Sequence, residues 1–162
     1  MVAVANELKN LIDKVNTAMR DERLKRIALT TVLAIQKPRI FEKGQDDKGA
    51  QVGTYGTNPI SISKKNQARN TGKTYFKGGY AEYKSAIGKN PGYVNSRNTD
   101  QMMMDYGVIV NGSEAGLGFQ NSFNADKAGW LQEKYKKDYF HLSNQEVEVI
   151  GNVYVQALNR AL

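Results

Sequence analysis

Few residues of this chain have the type and spacing that chemistry needs. The single histidine, His141, has no serine, cysteine or metal-ligand companion that the sequence identifies. An activated nucleophile needs its base within hydrogen-bond reach, so His141 reads as a structural or interface residue. Asn70-Thr71-Gly72-Lys73-Thr74 ends like a phosphate loop, but Gln67 stands where that loop needs its first glycine. Backbone N–H groups then have no wrap around a phosphate, and an ordinary turn accounts for Gly72. Glu42, Asp46 and Asp47 lack the ligand spacing, with a central glycine and terminal glutamate, of a calcium loop. No carboxylate pair stands out as an acid/base couple. With no cysteine in the chain, thiolate metal sites and disulfides are excluded. The sequence therefore predicts no catalytic residue, no metal and no cofactor.

What remains is chemistry of contact. Lys64, Lys65, Arg69, Lys73 and Lys77 interleave with Tyr75 and Phe76. Such a stretch can desolvate against another protein, or track a phosphate backbone while its rings stack on bases. The excess of 23 Lys and Arg over 16 Asp and Glu, a net charge of +7, suits an acidic partner surface or nucleic acid. Those positive residues are scattered along the chain and mark no single face. The candidate contact residues are Tyr55, Arg69, Lys73, Tyr75, Phe76 and Tyr80. The opposing reading of the same tyrosines is that they pin a long loop onto its own body.

The elements that must position these residues follow from periodicity. Val4, Leu8, Leu11, Ile12, Val15, Ala18 and Met19 form one helical stripe, and Leu24, Ile27, Ala28, Thr31, Val32 and Ile35 a second. Arg20-Asp21-Glu22-Arg23 shifts the phase between them, so this is either one helix with a rotating face or two helices joined near Asp21. Pro38 should end the helical region close by. From 39 to 79 periodicity disappears under repeated glycines, which predicts a projecting loop or extended hairpin, with an extended piece around Ile60 and Ile62. Tyr80–Ile87 should be a short helix. At least two of Met102, Met103 and Met104 should be core filling beside a sheet, since successive residues of a strand alternate between its faces.

Gly107–Val110, then Asn111-Gly112, then Ala115–Gln120 read as a β-hairpin with Asn-Gly at its turn. Asn124 or Asp126 should cap a helix reaching about Lys137. Ser143-Asn144-Gln145-Glu146 is a capping box that opens a last helix. The fold expected is α+β in a single domain, 1–162. A small antiparallel β-sheet packs with a long N-terminal helix and two C-terminal helices, and a long loop or hairpin projects. Its parts are a helical region 1–38, an arm 39–79 and a body 80–162. No apolar run is long enough to span a bilayer, and the start does not read as a signal peptide, so a soluble protein is expected.

The order of several landmarks resembles the virion-morphogenesis, tail-completion and neck-ring proteins of tailed bacteriophages. A helix runs into Arg39-Ile40-Phe41 and the Gly- and Asp-containing loop Gly44–Gly49. Val94–Met103 is similar to that family's Leu-x-x-Thr-Gly-x-Leu/Met element, with Asp100 where glycine is usual. Gly118-Phe119 leads into a helix with Ala125 and Ala128. Tyr139–Glu146 resembles the closing Phe-x-Leu-Ser-x-x-Glu helix. The resemblance covers roughly the last two-thirds of the chain. It implies a structural protein of the head–tail junction, acting as neck ring, tail completion protein or tail terminator. Such a protein is made in the host cytoplasm and assembles with itself as a ring, without a membrane. Its partners would be the portal or connector, the tail tube or neighbouring neck proteins, with DNA nearby in the channel. The reading from another class is a basic nucleic-acid-binding protein that uses the 64–77 loop.

Overall fold

The computed structural model describes residues 2–63, 72–111 and 114–161. In order along the chain come α1 (Val2–Arg20), α2 (Glu22–Lys37), β1 (Ile60–Ser63), β2 (Lys73–Phe76), α3 (Gly79–Ala86) and α4 (Gln101–Asp105). Then follow β3 (Tyr106–Asn111), β4 (Glu114–Phe119), α5 (Ser122–Tyr135) and α6 (Asn144–Ala161). The mixture of helices with small antiparallel sheets is the expected α+β class.

The N-terminal helical region is two helices. At Asp21 the backbone turns extended, and the carboxylate accepts hydrogen bonds from the N–H groups of Arg23 (2.8 Å) and Leu24 (3.3 Å). A side-chain oxygen thus satisfies donors that the first turn of α2 leaves orphaned. Pro38 does end α2, but the chain does not leave the helical course. It widens into one π turn over Pro38–Glu42, with the proline at its first position.

That turn corrects the expected arm. Arg39, Ile40, Phe41, Asp46 and Val52 are all buried, so the first part of the 39–79 stretch belongs to the body. What stands apart is the β1–β2 hairpin, paired from Ile60↔Phe76 to Ser63↔Lys73. It is the expected extended hairpin, a two-stranded sheet separate from a second one. The second, β3–β4, runs in register from Tyr106↔Phe119 to Asn111↔Glu114. Asn111 therefore ends a strand and does not occupy the turn. Two of the three methionines fill the core as expected: Met102 is buried and Met103 packs on the core, while Met104 is exposed; all three lie in the helix α4 and not in a strand. Asn121 caps α5, three residues before Asn124.

Ile40, Phe41, Val52, Val94, Met102, Tyr106, Ala128 and Tyr139 form the core, with α2 laid across β3, β4 and α6. Its centre is aromatic. The Tyr106 ring lies 6.0 Å from Phe41, 5.0 Å from Phe119 and 5.6 Å from Phe140, in tilted or edge-on contacts that favour ring quadrupoles. Phe41 and Tyr106 are buried outright, each contributing about 1.5–3 kcal/mol by area alone, while Phe119 and Phe140 are part-buried against them.

A polar clamp runs through this apolar centre. The Arg39 guanidinium, almost wholly buried, donates twice to Glu146 (2.8 and 3.1 Å) and to the carbonyls of Gln45, Tyr139 and His141. All of its N–H donors are engaged, which is what a buried guanidinium requires. Glu146 in turn accepts from the Ser143 N–H (2.8 Å), while its own N–H donates to Ser143 Oγ (3.2 Å). The predicted capping box is thus also half of a buried ion pair. Gln36 donates to the carbonyls of Phe140 and His141 and accepts from the Tyr106 hydroxyl (2.7 Å). His141 itself is exposed and contributes only its backbone.

Candidate assembly surface and the adjoining cleft

The structure divides the sequence-predicted contact residues into two sets. Lys73 and Tyr75 point outward from β2, and Tyr75 is 65 % exposed. Alternation along the strand turns Thr74 and Phe76 the other way. Phe76 meets the Tyr83 ring at 5.5 Å, Tyr83 meets Tyr80 at 5.3 Å, and Tyr80 meets Tyr55 at 5.3 Å. This row of rings fastens the hairpin to α3 and α3 to the body. Tyr55, Phe76 and Tyr80 therefore do the pinning that was the opposing reading. Tyr75 and Lys73 face outward and are exposed, and Lys77 is exposed beside them. Arg69, like Lys64 and Lys65, lies outside the described residues.

Gly79 makes the attachment possible. Its φ is +71°, and a Cβ there would sit 2.5–2.6 Å from the backbone of Gly56–Asn58. That close approach lets the Gly56 carbonyl accept from the N–H groups of Tyr80 (2.8 Å) and Ala81 (3.2 Å). The start of α3 is thereby stitched to the strand of chain that carries Tyr55.

Beneath Tyr55 and Tyr80 lies a cleft of about 580 Å³, walled by α3, the 94–102 segment and α5. Lys84 reaches it from α3. It is 1 % exposed, its ammonium donates to the Arg97 carbonyl, and it stands 5.0 Å from the centre of the Tyr55 ring. Burial, aided by the positive charges of Lys89 and Arg97, pulls its pKa down to about 8. Burial likewise pushes the Tyr80 phenol up to about 12. Trp130, Lys127 and Lys134 of α5 form the opposite rim.

The floor is the turn from Ser96 to Asp100, which begins and ends on left-handed backbone, φ +54° and +59°. Only glycine takes that conformation without strain, and Asp is among the few side chains that tolerate it. Position 100 is where the resemblance has glycine, and the backbone there is one that glycine suits. The aspartate has a second use. Its carboxylate accepts from Arg97 (2.8 and 3.2 Å) and Lys89 (2.7 Å), and those bonds hold its pKa far below the ordinary carboxylate value.

Sequence reasoning missed this cleft. One signal was available: Tyr80, Tyr83 and Lys84 sit at i, i+3 and i+4 of a short helix, so a lysine shares the face that packs inward. Of Glu42, Asp46 and Asp47, it is Asp46 that has a structural role. Asp46 is buried, and its carboxylate accepts from the N–H groups of Lys48 and Ala50 and from Lys137 (3.0 Å). Comparison with protein-family models, with characterised proteins and with solved structures finds no match to this chain.

Proposed function

We propose that this chain is a structural bacteriophage virion protein of the head–tail junction, assembling as a ring that joins the portal or connector to the tail. The observation that carries the reading is the β1–β2 hairpin. Two strands alone are marginal in water, and this pair stands off the body with its outward residues, Lys73 and Tyr75, presented to solvent. A neighbouring subunit would cover it. Head-to-tail contacts of this kind close into a ring when the rotation per subunit permits.

Two further features support it. The Arg39-Ile40-Phe41 segment and the Tyr139–Glu146 segment, which carry the resemblance at opposite ends of the chain, meet at the buried clamp. Leu8, Leu11 and Ile12 of α1 are also exposed, a run of apolar surface that suits subunit packing. The test is the native mass of the purified protein, alone and mixed with the connector and tail-tube proteins encoded beside it. A stoichiometric complex or closed oligomer is expected. A monomer that binds neither protein would overturn the proposal.

A second reading rests on the same strand. Lys73 and Tyr75 share one face, with Lys77 next to them, which suits a phosphate contact beside a stacking ring. Binding to single-stranded DNA that collapses as salt rises, by a chain that stays monomeric, would favour this reading. Self-association at moderate salt without nucleic acid would remove it.

A further inference from the structure

The Lys84 cleft has an unmet electrostatic demand. Among the described residues no carboxylate forms an ion pair with the Lys84 ammonium; its contacts are the Arg97 carbonyl and the Tyr55 ring. The nearest carboxylate, Asp100, is committed to Arg97 and Lys89. A buried ammonium without a counter-charge is costly, and chains retain such groups where something else supplies the charge. A second unmet demand lies in the same floor. Asn98 Oδ1 is buried and has no hydrogen-bond donor. The rims supply rings (Tyr80, Trp130) and further cations (Lys127, Lys134).

We propose that this cleft binds a carboxylate that carries a neighbouring N–H donor, as in the glutamyl or aspartyl residue of an acidic peptide segment. The carboxylate faces Lys84, the N–H donates to Asn98 Oδ1, and the chain on either side lies along Tyr80 and Trp130. The cationic rims draw in an acidic segment and exclude a basic one. A free dicarboxylate shares the first part of this chemistry but lacks the N–H. The site stands whether or not the chain assembles into a ring.

Trp130 is the only tryptophan and is 60 % exposed at the rim, so its emission reports on occupancy directly. The probes are N-acetyl-Glu-Phe-amide, its Gln counterpart and glutarate, titrated against the full chain at constant salt. The Glu peptide should bind about tenfold or more tighter than the Gln peptide, reflecting a charge-assisted bond. Lys84→Met should abolish that preference. Asn98→Ala should weaken the Glu peptide while leaving glutarate unchanged. Glutarate binding as tightly as the peptide would overturn the N–H contact and with it the assignment to a peptide. Equal binding of the Glu and Gln peptides, or a Lys84→Met protein that still tells them apart, would overturn the carboxylate site itself.

Discussion

At the scale of single residues, charge is placed in three different ways. Arg39 and Glu146 are buried and fully satisfied, so removing one strands the other. Arg39→Ala should cost about 3–5 kcal/mol, a loss on the order of 10 °C in Tm by calorimetry. Asp100 combines a strained backbone with two cationic partners. Asp100→Gly loses the partners but relieves the strain, whereas Asp100→Ala loses the partners and keeps it. Urea denaturation should therefore find the glycine variant about 1 kcal/mol more stable than the alanine one. Since the Asp100 pKa is depressed, its contribution is present above the ordinary carboxylate range and is lost as pH falls through it.

The Lys84 charge, unlike that of Asp100, opposes folding. Below pH 8 folded and unfolded chains both hold the proton, and the buried charge opposes folding in full. From pH 8 towards the ordinary lysine value of 10.5 the unfolded chain binds more protons, so this group's contribution improves with pH. Tyr80, raised from 10.0 to about 12, acts the other way above pH 10, where the unfolded chain loses its phenolic proton first. Lys84→Met should accordingly stabilise the protein at about pH 7, with a smaller gain at about pH 10. Equal gains at both pH values would contradict a buried ammonium as the cause.

At the scale of elements, the hairpin and α1 differ from the rest in what covers them. Phe76 and Tyr75 are neighbours on β2 with opposite duties. Phe76→Ala should release the hairpin from α3, seen as faster amide exchange across β1 and β2 with the core unaffected. Tyr75→Ala should leave exchange and Tm unchanged and weaken the proposed self-association, read as native mass. The same logic holds for α1, where every residue from Glu7 to Lys14 is exposed. Its apolar stripe is evident from spacing, but an amphipathic stripe only shows that a face seeks cover. Leu8, Leu11, Ile12 and Met19 of that stripe stay exposed, while Val15 and Ala18 are part-buried.

At the scale of the whole molecule, the clamp and the aromatic centre join segments about a hundred residues apart, so the body should unfold as one unit. The projecting hairpin lies outside that unit and should be the first described region to open. Calorimetric and denaturant transitions that coincide for the body, with hairpin exchange far faster than either, would fit this arrangement. Two well-separated body transitions would not.

Local signals carried the elements. The helical stripes, the capping box at Ser143–Glu146, the β3–β4 strands and the α+β class were legible because helix and strand periods and caps act over a few residues. Pro38 predicts a stop, although a π turn absorbs it. The stretch from 39 to 79 reads as an arm because periodicity vanishes there, and burial without periodicity leaves no pattern in the sequence. Only the fold could bring Arg39 to Glu146 and turn a helix cap into half of an ion pair. Only the fold could place Lys84 beneath Tyr55, away from every carboxylate but one already taken. The sequence by itself determined which segments curl, extend and cap, because those preferences are local. The tertiary structure decided which charges are matched and which still lack a partner, because desolvation depends on residues far apart in the chain.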